Sequence, residues 1–175
     1  VIFNGSFGSF SSIVMTGLSK PILDAPNSAK IELGGVAVSG SAGTLEIKLT
    51  DTDFGPFPNQ STVGLTVSNA IGGTSNGPVT AQGFLDPANL EFGETLTTGL
   101  QGPFGPGAFD DTVSSTVFLP ADGERFSLSE TVTITHSGAG LVSSFSKVLE
   151  ANSDSVCTGS IGDFVWHDTN RNGTQ

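Results

Sequence analysis

Short runs with apolar residues at alternate positions recur along this chain, separated by turns rich in Gly, Pro, Asn and Asp. In GTLEIKLTD (43–51), Leu45, Ile47 and Leu49 alternate with Glu46, Lys48 and Thr50, so an extended chain puts the aliphatics on one face and the charges on the other. Related runs occupy VIFNGSF (1–7), SFSSIVM (9–15), IELGGVAV (31–38), TVGLTVSNAI (62–71), PVTAQGFL (78–85), DTVSSTVFL (111–119), RFSLSETVTITH (125–136) and LVSSFSKVL (141–149). No stretch carries a convincing 3.6-residue period, and DPANLEFGETLTTGL (86–100) has room for a helical turn or two at most. About nine short strands without intervening helices predict an all-β fold, an antiparallel β-sandwich of Ig-like or jelly-roll type, over residues 1–150.

A chain of 175 residues supports one such domain and a short appendage. Only 13% of its residues are charged, so Ser, Thr, Asn and Gly carry most of its solubility, as suits strands and turns. The net charge of −11 argues against nucleic acid or an anionic membrane as partner and for cations. An acidic, lysine-poor composition is expected of a secreted, extracellular bacterial protein, where calcium neutralises carboxylates. Cys157 is the single cysteine, so no intrachain disulfide staples the fold, and a small buried thiol is favoured over a bond to another chain. No apolar run reaches the roughly 18 residues a membrane span needs. Val1 stands in a strand-like run without a signal-peptide core, so the natural N-terminus is expected upstream or removed.

Candidate chemistry is sparse. The segment 86–110, with GPFGPGAFDD (102–111), is expected to be a long irregular connection, its Phe104 and Phe109 either tucked into the sandwich edge or forming a contact patch. With 13 Phe, one Trp and no Tyr, the chain lacks the amphipathic rings that stack on sugars, and most Phe residues belong to the core. His136 and His167 are the two histidines, little material for acid–base work. GTSNG (73–77) fits a nucleophile-elbow pattern around Ser75, but a strand-like run follows it where that elbow needs a helix. Asp51 and Asp53, Asp110 and Asp111, and Asp122 and Glu124 stand at strand ends, where Asp caps turns; a calcium ion shared between two such loops is the sharper alternative. Lys20, Lys48 and Lys147 are amines that an Asn or Asp side chain can acylate in a sandwich. Lys48, on the polar face of its strand, argues against such a bond.

DTNRNG (168–173) is the most specific stretch. It matches the first half of a calcium loop, in which side-chain oxygens at positions 1, 3 and 5 converge on the ion while glycine makes the turn. Asp168, Asn170 and Asn172 are the expected ligands and Thr174 adds a backbone carbonyl, but the closing carboxylate falls beyond Gln175. An Asx-rich turn without an ion is the plainer reading.

GSIGDFVWHDTNRNGTQ (159–175) resembles the opening of the B-type repeat of serine-aspartate-repeat adhesins, a calcium-binding β-module of bacterial surface proteins. That resemblance implies calcium at Asp168, Asn170 and Asn172, and a first strand carrying Ile161, Val165 and Trp166. IELGGVAVSGSAGTLEIKLTDTDF, VTAQGFLDPANLEFG, GPFGPGAFDDT and SLSETVTITHSGAG more loosely resemble the β-domain of secreted exosortase-sorted (PEP-CTERM-type) proteins of envelopes and matrices, which implies secretion and a structural role. The expected organisation is a sandwich over 1–150, a linker over 151–158, and over 159–175 the start of the calcium module or an extended assembly tail. The expected function is a noncatalytic structural or adhesive part of a surface layer, filament or biofilm matrix. Its partners are copies of itself, joined by strand addition, or other surface proteins. A glycan-binding module is the first alternative and a hydrolase the second.

Overall fold

A computed structural model describes residues 1–23, 25, 27–57, 64–119 and 124–153. Ten strands lie within them: β1 (Ile2–Phe7), β2 (Phe10–Leu18), β3 (Ser28–Ser39), β4 (Gly43–Phe54), β5 (Leu65–Ser75), β6 (Val79–Asp86), β7 (Leu96–Phe104), β8 (Gly107–Val117), β9 (Phe126–His136) and β10 (Val142–Ser153). They form two sheets, one ordered β1-β2-β3-β10-β5-β8 and the other β4-β9-β6-β7. The chain is thus an all-β antiparallel sandwich, as its punctuation predicts. Among the described residues no helix is long and apolar enough to cross a membrane.

Two boundaries differ from expectation. The segment 86–110 is not an irregular connection, because it holds β7 and the start of β8, which raises the strand count from nine to ten. The pattern of β7 hides it: Leu100 points outward at 64% exposure while Gln101 is buried, the reverse of an apolar-in alternation. Its Pro103 and left-handed Gly99 and Gly102 are tolerated because β7 is an edge strand, with register shifts where it pairs β6. At the other end, β10 runs on to Ser153, paired with β3 and β5 along most of its length.

The inner faces of the two sheets bury two apolar clusters. One gathers Ile71, Val132 and Phe145 with Phe10 and Leu45, and the other gathers Val67, Leu128 and Leu149 with Phe54 and Phe126. Each such side chain contributes about 1.5–3 kcal/mol on burial. Between the clusters runs one level of inward positions that are not apolar at all: Asn69 on β5, Glu130 on β9 and Lys147 on β10.

Candidate functional site

Strand periodicity forces these three side chains inward. Lys147 falls between inward Phe145 and Leu149, Asn69 between Val67 and Ile71, and Glu130 between Leu128 and Val132. β5 and β10 are neighbours in the six-stranded sheet, with Asn69 opposite Leu149, and β9 faces them from the other sheet. All three residues are fully buried.

Lys147 Nζ donates to Asn69 Oδ1 at 2.6 Å and to Glu130 Oε2 at 3.0 Å. Asn69 Nδ2 donates to Gln101 Oε1 at 2.7 Å and Thr98 Oγ1 at 3.2 Å, while Gln101 Nε2 donates to the Asn69 carbonyl and to Asp111 Oδ2. Both faces of the carboxamide are therefore committed, and its orientation is fixed from β7 and β10. Glu130 Oε1, by contrast, is buried without a hydrogen-bond partner. Gly83, opposite Glu130 on β6, leaves space over the amide: a Cβ there would stand 3.1 Å from Asn69 Cγ.

Burial dominates the electrostatics. Removal from water pushes Glu130 up from 4.5 to about 7, against the pull of the Lys147 charge, and lowers Lys147 against the pull of Glu130. Both shifts favour the uncharged pair, a free amine beside a protonated acid.

A second buried polar group lies at one end of the sandwich. His136 Nε2 meets Ser143 Oγ at 2.8 Å, Ser143 meets Ser75, and Ser75 Oγ donates to the Gly77 carbonyl at 2.6 Å. Ser75 thus reaches His136 through Ser143, His136 Nδ1 has no partner, and β6 follows where a nucleophile elbow needs a helix.

The lateral margins differ from each other. On one side the chain crosses between sheets from β7 to β8, and Phe104 and Phe109 stack there at 5.1 Å and pack on the core. These two residues stand on strands, half-buried, not on a free contact loop. On the other side β1 and β4 end their sheets, and all six residues of β1 are exposed. An apolar groove of about 350 Å³ opens there, lined among others by Phe3, Phe7, Met15, Leu45, Ile47 and Leu49. Ile47 and Leu49, expected inside with Leu45, are half-buried because their strand ends its sheet beside this groove.

The candidate metal residues are dispersed. Asp51 accepts from Ser19 and pairs with Lys20 at 3.8 Å, while Asp53 exchanges hydrogen bonds with Asn89, so both fasten turns around the end of β4. Asp110 and Asp111 stand on β8 in the other sheet, where Asp111 holds Gln101. Among the described residues no three His, Cys, Asp or Glu side chains gather as an ion would need. Asp122, Asp168, Asn170, Asn172 and Thr174, with Cys157 and His167, lie outside the described residues.

No family model and no curated protein matches the chain. Among solved structures it is similar to the enzymatically active domain of bacteriophage CBA120 tailspike protein 4, at 10% identity and TM-score 0.39 over 82% of this chain and 18% of that one. It is similar to infectious bursal disease virus, Gx strain, at 12% identity and TM-score 0.42 over 85% and 34%. Dimeric latent PorU from Porphyromonas gingivalis gives 10% identity and TM-score 0.27 over 86% and 14%. The chain spans about a third or less of each of these proteins, and likeness at this level assigns no function.

Proposed function

We propose that this chain is a noncatalytic building block of an extracellular bacterial assembly, a surface layer, filament or matrix, and that copies join by strand addition at the open margin. The groove between β1 and β4 carries the reading. It sets a free sheet edge on each side of an apolar slot, and an added strand satisfies both needs at once, pairing with edge N–H and C=O groups while alternate side chains fill the slot. At the opposite margin the chain crosses from β7 to β8, and Phe104 and Phe109 stack there. Calcium belongs to the same proposal, held by Asp168, Asn170, Asn172 and Thr174 in the segment that resembles an adhesin repeat.

Light scattering and electron microscopy of the purified chain, over a concentration series with and without calcium, test this. Oligomers or filaments are expected, and Ile47→Lys, which puts an ammonium into the slot, is expected to weaken association at least about tenfold, about 1.4 kcal/mol. A strict monomer at high concentration overturns the reading. If removing residues 154–175 then turns that monomer into oligomers, the slot's occupant is the chain's own tail.

A further inference from the structure

We propose that Lys147 and Asn69 join through a side-chain amide bond, formed within the folded domain with Glu130 as the proton-transfer group. The geometry holds the three parts the reaction needs. The Lys147 nitrogen hydrogen-bonds the carboxamide oxygen at 2.6 Å, so the electrophilic Cγ lies one bond beyond its contact atom. The acid stands 3.0 Å from the same nitrogen, with its second oxygen buried and unpartnered. Gly83 leaves the amide carbon uncrowded, and Gln101 and Thr98 hold Nδ2, the leaving atom, away from Lys147.

Bond changes balance without any outside reagent. The neutral Lys147 amine attacks Asn69 Cγ, forming the C–N bond, while Glu130 in its acid form protonates the developing oxyanion. Nζ gives up a proton to the Glu130 carboxylate, which passes it to Nδ2 as the Cγ–Nδ2 bond breaks, and the re-forming carbonyl returns its hydroxyl proton to Glu130. Nδ2 leaves as ammonia, carrying one proton that began on Nζ, and Glu130 ends as it began. Burial supports the neutral starting pair by raising Glu130 and lowering Lys147. In water the same amine is charged and the carboxamide unreactive. Inside, the partners are already oriented and desolvated.

The product ties two adjacent strands of the six-stranded sheet in its middle, closing a loop of 78 residues between positions 69 and 147. A pull applied to the chain outside that loop is then carried by a covalent bond, whatever happens to the hydrogen bonds of the sheet. This goes beyond strand addition and does not depend on it.

Intact-mass measurement of the folded chain, followed by tryptic mapping, tests the bond. The expected mass lies about 17 Da, one ammonia, below that of the sequence. Trypsin is expected to leave Lys147 uncut and to release 49–125 joined to 126–171. Lys147→Met and Glu130→Gln, checked for folding by circular dichroism, are expected to lose no ammonia. A wild-type chain at its full sequence mass overturns the proposal. So does the same loss with the two peptides separate, as a succinimide at Asn4–Gly5 or Asn76–Gly77 would give. Ammonia loss retained in Glu130→Gln removes Glu130 from the reaction. If neither variant folds, the wild-type map alone decides.

Discussion

Two buried polar groups sit in the same apolar interior and differ in what they can do. Lys147, Asn69 and Glu130 bring an amine, a carboxamide carbon and an acid together in mid-core, with one carboxylate oxygen unmatched. His136, Ser143 and Ser75 form a chain of neutral donors and acceptors that ends on the Gly77 carbonyl, and His136 lies against the Phe10 ring at 5.2 Å. The first has an electrophile beside a nucleophile, while the second has hydroxyls that close a turn. Burial alone therefore does not mark chemistry; burial that neutralises an ion pair around a reactive carbon does.

The largest effect expected from breaking this contrast is that of Glu130→Ala. It leaves the Lys147 nitrogen in the core without its acid partner, and breaking a buried pair of this kind costs about 3–5 kcal/mol, read as a lowered denaturant midpoint. Replacing the pair together, Lys147→Met with Glu130→Leu, is expected to recover most of that loss, because apolar side chains of similar volume need no partner. A double variant as unstable as the single one would show that the unpartnered Lys147 nitrogen is not what the truncation exposes.

Acidity separates the two groups next. Glu130 is raised from 4.5 to about 7, so the native state holds a proton that the unfolded chain has already released. Its stabilising contribution is full below 4.5 and fades as pH rises through about 7, by a few kcal/mol at most. His136 is lowered from 6.5 by burial, so the unfolded chain takes up the proton first. Its contribution is present above 6.5 and fades as pH falls through the lowered native value. Unfolding free energies measured from pH 4 to 8 for wild type, Glu130→Gln and His136→Gln should show the two opposing slopes disappear separately. Parallel profiles for all three chains would contradict both assignments.

At the end of the sandwich the expected effect is smaller. Ser143→Ala removes the hydroxyl that links His136 to Ser75, leaving one buried group short of a partner, at about 1–3 kcal/mol. If Ser143→Ala instead matched Glu130→Ala, the hydroxyl chain would be as critical as the acid–amine pair and the contrast would fail.

Much of the fold was legible because the sandwich is written in period two. Leu45 with outward Glu46 and Lys48 reads directly from sequence, and so does the strand after GTSNG that disqualifies the elbow. β7 was illegible because its inward residue is Gln101 and its outward one Leu100, so the signal that finds strands pointed the wrong way. Lys48 faces solvent as its strand predicts, and its facing carries no information about Lys147, which points inward. The usable sign lay in FSKVLEA and LSETVTI, where Lys147 and Glu130 occupy inward positions of otherwise apolar alternations, with Asn69 doing the same in LTVSNAI. What no sequence pattern supplies is that three separate strands bring those positions to one level.

Lys48→Ala gives the smallest effect and calibrates the rest. Lys48 Nζ meets Glu94 at 3.1 Å and Glu46 at 3.8 Å, two carboxylates against the one that Lys147 meets, and the hydrogen bond to Glu94 raises its pKa against a small lowering by burial. Yet its side chain is 36% exposed, so water screens both contacts and solvates whatever remains after truncation. The expected loss is about 0.2–1 kcal/mol, shrinking further at 1 M salt. Truncation at Lys48 comparable to that at Glu130 would mean that pair number, not dielectric, sets the energy of charge in this sandwich. A near-silent Lys48→Ala beside a strongly unfolding Glu130→Ala assigns the difference to the water that one site has and the other lacks.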